Sequence, residues 1–371
     1  MRSRLAIATI LAVGLVAGCG STSSGGAVAG SSGTSGAAGA PPTCDASKAD
    51  DLEVAGADRD GFPPYAVAAC MLAYVNGAGD LRVRDLRSGT ETTFAVAGEH
   101  PRRPAVSESV IAWEADENGH SVVRVRASGS ADARTVTGSF VAAGEPRVSG
   151  AAVAFTAWNG PSDGDDTDIW LFDSATAETR LALGGAGQQR FADVSARYVV
   201  ASDFSEDPDG RFDGNETDVA DLLVLDRASG VVSARRLAGK QAFPILGENG
   251  TVAYLEWANI HPEPKLQAYA VKSGQLLGAP AADRTIATVQ YVSTTYARPS
   301  LAGPTLEWVA NPDGVTRLYR APIDGSAAAD VVGGLEGLRL YAPASASGFT
   351  ILAAAPKAVT PALPRLRAVA R

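Results

Sequence analysis

The chain has 371 residues, 46% of them apolar, and carries a formal net charge of -9. That length suits one large domain or two smaller ones with a normal core. The charge argues against nucleic acid as a partner, because phosphate contacts need a basic face, and against docking on anionic lipid through a polybasic patch.

The N-terminus reads MRSRLAIATILAVGLVAGCGS, with basic Arg2 and Arg4 ahead of an apolar run from Leu5 to Val16. A run of about 12 residues is short for a bilayer span and suits a signal peptide. Val16-Ala17-Gly18-Cys19 resembles the bacterial lipobox. That resemblance implies a signal peptide over residues 1–18, cleavage before Cys19 and lipid on its sulfur. Several acyl chains, at ~0.8 kcal/mol per buried CH2, make a durable anchor. The protein is then expected to be exported and held on a bilayer. Gly20 is not the Asp that retains such proteins at an inner membrane, so the outer membrane is the expected address.

Residues 19–43 are rich in Gly, Ser and Ala and offer no core-forming stretch. They read as a flexible tether with a mean reach of roughly 25–30 Å. Residues 44–371 form the folded domain. Cys44 and Cys70 are the two remaining cysteines. An exported chain permits a disulfide between them, and two free thiols remain the alternative.

The rest of the chain is self-similar. Each unit opens on a short extended segment: RPAVSES at Arg103, EPRVSGA at Glu145, FADVSAR at Phe191, FPILGEN at Phe243, RPSLAGP at Arg298 and APASASG at Ala342. An apolar strand with a bulky residue follows, as in CMLAYV (Tyr74), VIAWEA (Trp113), AVAFTAW (Phe155), TVAYLEW (Tyr254) and TLEWVA (Trp308). A variable loop, a third strand and a tight turn come next. Gly89, Gly129, Gly230, Gly274 and Gly325 are the expected turn glycines. A more polar fourth strand closes each unit. Turns about 40 to 50 residues apart match four-stranded propeller blades. Six units are complete, and a seventh starts near Arg339 and lacks its outer strand. DLEVAG at Asp51 is free to supply it, since an open ring would expose sheet edges. The fold class is therefore all-β: a β-propeller of four-stranded antiparallel blades, seven in number, closed by an N-terminal strand.

Pro146, Val148, Ser149, Phe155, Asp168, Ile169, Trp170 and Asp173 carry the clearest copy of the pattern. It resembles the TolB-like, WD-repeat-like propellers. The bulky residues recur around the ring, so they are expected to pack between blades. A binding site is instead expected where the units differ.

The units differ most in the loop between the second and third strands. That loop is long in blade three and longest in blade four. Between Asp203 and Asp221 the blade-four loop holds eight carboxylates and Arg211. Three readings stay open: a calcium loop, a solvated acidic loop built of Asx turns, and catalytic acids. Calcium takes oxygens from a Gly-kinked loop, here Asp207, Asp209, Asp213, Asn215, Glu216 and Asp218, although the spacing is not that of an EF-hand. Asp163, Asp165, Asp166 and Asp168 of blade three are expected on the same rim, as are His120 and His261. Ca2+ is the one cofactor considered. The function expected is a lipid-anchored, monomeric binding or scaffold protein recognising an envelope protein or glycan. The alternative is a polysaccharide lyase or hydrolase with a metal- or carboxylate-based rim site. No Gly-x-Ser-x-Gly elbow supports a serine hydrolase.

Overall fold

The computed structural model describes residues 43–56, 62–160, 166–212, 219–237, 239–247, 249–257, 267–277, 282–291, 298–357 and 363–371. Seven four-stranded antiparallel sheets follow one another along the chain. Blade one holds β1 (Tyr65–Ala68), β2 (Met71–Val75), β3 (Leu81–Asp85) and β4 (Glu91–Ala95). Blade two holds β5 (Arg102–Val106), β6 (Val110–Glu117), β7 (His120–Ala127) and β8 (Arg134–Thr135). Blade three holds β9 (Ala142–Ser149), β10 (Ala152–Trp158), β11 (Thr167–Asp173) and β12 (Glu178–Leu183). Blade four holds β13 (Gln189–Val194), β14 (Tyr198–Asp203), β15 (Asp221–Asp226) and β16 (Val232–Arg235). Blade five holds β17 (Lys240–Leu246), β18 (Thr251–Trp257), β19 (Gln267–Gln275) and β20 (Arg284–Tyr291). Blade six holds β21 (Ser300–Ala302), β22 (Thr305–Ala310), β23 (Arg317–Pro322) and β24 (Asp330–Val331). In blade seven the inner strand is split into β25 (Leu338–Leu340) and β26 (Ala344–Ala346). Both pieces pair with β27 (Phe349–Pro356), which pairs with β28 (Arg365–Ala370).

The outer edge of blade seven is covered from the N-terminus. Glu53 bridges Arg365. Asp51 N donates to Leu366 O, Leu366 N to Leu52 O, and Val54 N to Pro364 O. The same segment touches blade one, where Val54 bridges Asn76 and Ala55 N donates to Val75 O. The segment starting at Asp51 therefore closes the ring, as expected of an edge that would otherwise stay open. Cys44 is disulfide-bonded to Cys70, which ties the chain ahead of this strand to the turn between β1 and β2.

The bulky residues of the second strands hold adjacent blades together. Trp113 packs with Ala73, Val75 and Val83 of blade one, and Phe155 with Val110, Val123 and Val125 of blade two. Tyr254 meets Val200 and Val224 of blade four, and Trp308 meets Ala242 and Leu255 of blade five. Tyr74 packs on Ile351 and Ala353 of blade seven and completes the circle. Each buries its side chain on the preceding blade, which is why the residue recurs at this position. Full burial of such a side chain is worth about 1.5–3 kcal/mol.

The Pro of the repeat also has a structural cause. In blades two to five the residue at the preceding site, Arg103, Glu145, Phe191 or Phe243, has φ between +50° and +58°. The pairing register slips at each of these sites. Such a bulge bends the innermost strand. It also frees the following position from the ladder, so Pro104, Pro146 and Pro244 cost no hydrogen bond. The repeat serine fixes the next turn: Ser107 Oγ accepts from Val110 N and donates to Gly150 O of blade three.

One turn differs from expectation. Gly89, Gly129, Gly230 and Gly325 adopt positive φ. Gly274 does not, because it lies inside β19 opposite Val252. The ladder of blade five runs on through Gln275, so the turn starts later, after strand pairing ends.

Candidate functional site

The long loops of blades three and four flank one connection. Thr167, at the start of β11, bridges Gln188, and its hydroxyl donates to Gln189 O at 3.0 Å. On the other side Gln188 N donates to Gly210 O at 2.8 Å. Gly187 and Gly210 face each other so closely that a Cβ on Gly187 would lie 3.0 Å from Gly210 O. Both glycines have positive φ. The link from β12 to β13 is thus the seam between the two loops.

On the blade-three side, Asn159 Nδ2 donates to Asp168 Oδ2 at 3.0 Å. Burial, reinforced by the Asp168 carboxylate, pushes the Asp166 carboxyl above its usual range. On the blade-four side, the residues after Asp203 form successive Asx turns. Asp207 accepts from Asp209 N at 3.0 Å and from Val219 N at 2.8 Å, and Asp209 accepts from Arg211 N at 3.0 Å. Asp203 and Asp221 are buried partners at the base of the loop. Asp203 accepts from Gln189 Nε2 and Ser205, and Asp221 from Leu237 N. Asp163, Asp165, Asp213, Asn215, Glu216, Asp218, His261 and Cys19 lie outside the described residues. His120 is exposed at the start of β7, opposite Glu117. Among the described residues, no three His, Cys, Asp or Glu side chains group closely enough to hold a metal ion.

The second concentration of charge lies on the ring axis, and it is where the inner strands depart from the repeat. Glu145, at the blade-three bulge, is almost fully buried. It pairs with Arg190 and with Arg103 at 3.5 Å, and it accepts from Thr156 Oγ1 at 2.8 Å. Burial alone would raise its carboxyl, but Arg190, Arg103 and the hydrogen bonds outweigh it and hold the group at about 2. Glu114 takes Arg102 at 2.8 Å, Arg103 at 3.3 Å and Glu145 N at 3.0 Å. These charges are spent on one another and lock blades two, three and four together.

Phe62, just before blade one, closes this layer. The guanidinium carbons of Arg103 and Arg298 lie 4.5 and 4.6 Å from its ring centroid, and that of Arg147 at 5.7 Å. Phe191 stands 6.2 Å from Phe62 and 4.5 Å from Phe243. Cation–π contacts of this kind are worth about 0.5–2 kcal/mol each when desolvated.

Beyond this layer, toward the turns that join first and second strands, the axis holds a chamber of about 330 Å³. Tyr65, Val67, Val106, Ile245 and Leu301 are among its lining, but polar atoms contribute more of the wall's surface than apolar ones. Arg147, Asp193 and Arg298 also line it. Burial lowers the proton affinity of both arginines, that of Arg298 strongly and with added repulsion from Arg147. Burial raises that of Asp193. The sequence does hint at these residues. At the position two after the bulge, blades two, five and seven carry Ala105, Ile245 and Ala344, whereas blades three and four carry Arg147 and Asp193.

No protein-family model matches the chain. No curated protein matches it either. Solved structures do. The β-propeller domain of the trilobed protease from Pyrococcus furiosus aligns with 86% of this chain and 93% of its own, at 8% identity and a TM-score of 0.56. The acylaminoacyl peptidase of Pyrococcus horikoshii aligns over 88% of this chain at 10% identity and a TM-score of 0.55. This chain spans about half (52%) of that peptidase. TolB of Acinetobacter baumannii aligns over 66% of this chain and 57% of its own, at 15% identity and a TM-score of 0.44. At these identities the likeness is one of fold: the chain is a seven-bladed β-propeller, distantly similar to the β-propeller domain of the trilobed protease from Pyrococcus furiosus and to the acylaminoacyl peptidase of Pyrococcus horikoshii.

Proposed function

We propose that the chain is a lipid-anchored binding protein of the cell envelope, which presents the rim above blades three and four to a protein or glycan ligand. The observation that supports this reading is the seam at residues 184–188. It brings the described ends of two acidic loops, those of blades three and four, against one connection. Backbone hydrogen bonds and Asx turns hold the described part of the blade-four loop in place. A preorganised loop loses less entropy on binding. Lipid on Cys19 and the tether that follows would hold the domain near a membrane surface.

Site-specific photocrosslinking in intact cells tests the rim. A crosslinker at Asp209 should trap a discrete partner, whereas one at Arg87, between β3 and β4, should not. Equal labelling from both positions would overturn the rim assignment. Cys19→Ser should move the protein from the membrane fraction to the soluble fraction, and unchanged membrane retention would remove the lipid anchor. Calcium would order the same loop through Asp207, Asp209 and their neighbours. At a hundredfold excess over Kd it should add about 2.7 kcal/mol of stability. An unchanged melting temperature in millimolar calcium, with chelator making no difference, would remove calcium from the reading.

A further inference from the structure

The axial chamber lies apart from the acidic rim and has the makings of a second site. Arg298 is 98% buried, at 2% relative exposure. Its Nη2 donates to Phe191 O at 3.1 Å. Its Nε and Nη1 have no hydrogen-bond partner among the described residues. A buried guanidinium with two idle donors is costly, and such groups call for an acceptor. The nearby carboxylates do not supply one. Glu145 is taken by Arg103 and Arg190. Asp193 spends an oxygen on Leu246 N at 2.7 Å, and no ion pair within 4 Å joins it to Arg147 or Arg298 among the described residues.

We propose that the chamber binds a compact monoanionic carboxylate. Arg298 and Arg147 would take the carboxylate, and Tyr65, Val106 and Leu301 would pack against the rest. The planar fork of a guanidinium matches a carboxylate in two-point geometry. Two arginines against Asp193 leave a single positive charge on the wall, which suits a monoanion over a phosphate dianion. The volume, about 330 Å³, lies at the small end of ligand-pocket sizes. The layer of Phe62 closes the chamber on the side of the acidic rim, so the ligand would enter from the face of the β1–β2 and β9–β10 turns.

Calorimetry on the full chain in detergent tests this, with N-acetylleucine, its uncharged amide and inorganic phosphate as probes. The acid should bind, and the amide and phosphate should bind at least tenfold more weakly. Arg298→Met and Arg147→Met should each weaken the acid roughly 10- to 100-fold, the scale of a lost charge-assisted hydrogen bond. Arg147 is only half-buried, so its variant keeps the test usable if Arg298→Met does not fold. Equal binding of acid and amide would overturn the proposal. So would tighter binding of phosphate, an Arg147→Met variant that folds and binds the acid unchanged, or no binding at millimolar acid. Rim crosslinking by Asp209 is unaffected by any of these outcomes.

Discussion

Arg371 Nη2 lies 2.6 Å from Glu307 Oε2 and ties the end of blade seven to the second strand of blade six. Glu307 is completely buried. It also takes Arg320 Nε at 2.7 Å, Ser345 Oγ at 2.6 Å and the hydroxyl of Thr350. One carboxylate therefore gathers side chains from two blades. Glu307→Ala should leave two arginines without their anion at a buried junction, at a cost of about 3–5 kcal/mol. Urea denaturation should show a lower midpoint with an unchanged m-value. A loss below about 1 kcal/mol, the scale of an exposed ion pair, would show that the junction holds without this carboxylate.

Glu145 makes the fold sensitive to acid. Its ordinary value is 4.5, and the axial arginines hold it at about 2 in the folded protein. Below roughly pH 4.5 the unfolded carboxyl binds a proton while the folded one stays ionised, so acid favours unfolding. The stabilisation is fully present above that value and is lost as pH falls toward 2. A depression of this size corresponds to about 3 kcal/mol. Stability measured from pH 7 down to pH 2 should fall through this window. Glu145→Gln should flatten that limb and lower the plateau at pH 7. An acid limb as steep in Glu145→Gln as in the parent chain would assign the effect to other carboxylates.

The ring was legible in the sequence because each blade repeats the same physical demands. Trp113, Phe155 and Trp308 mark the inter-blade contact, Ser107 marks the turn, and Pro104 and Pro146 mark the bulge. The closing strand at Asp51 was legible because the seventh unit lacks one. The pairing of Cys44 with Cys70 was left open by two cysteines alone; their contact depends on how the N-terminal segment docks. The axial layer was hidden for a different reason. Phe62, Arg103, Glu145, Arg190 and Arg298 come from five separated segments, and only ring closure brings them to one axis. Their signal is a departure from the repeat, such as Arg147 and Asp193 where blades two and seven carry Ala105 and Ala344. Acidic density drew attention to the rim instead, where the described carboxylates Asp207 and Asp209 serve backbone N–H groups.

Trp113 separates shape from hydrogen bonding at the blade contact. It is fully buried, and its indole Nε1 has no hydrogen-bond partner among the described residues. Its contribution should therefore come from packed volume. Trp113→Ala should cost about 3–5 kcal/mol through lost contact and the cavity left behind. Trp113→Phe keeps most of the ring and removes an unsatisfied donor, so it should cost under about 1.5 kcal/mol. Paired thermal and urea unfolding of the two variants checks this. Similar losses in both would mean that the indole N–H has a role the packing does not explain.

The Cys44–Cys70 disulfide should govern how firmly the ring is closed. The bond spans a sequence separation of 26 residues and anchors the segment just ahead of the strand that covers β28. Asp45 N donates to Leu86 O, and Cys44 packs beside Tyr65 and Leu72, so docking and cross-link support each other. Cross-linking a loop of this length is worth about 3 kcal/mol in the chain-entropy picture. Paired Cys44→Ala and Cys70→Ala substitutions should lower stability by about that amount. They should also speed hydrogen exchange at Leu366 N and Val54 N, which bond across the closure. Exchange at Val125 N, in the middle of blade two, should speed up only as far as the loss of global stability requires. If the amides at Leu366 and Val54 change no more than Val125, the disulfide stabilises the whole ring and has no particular hold on its seam.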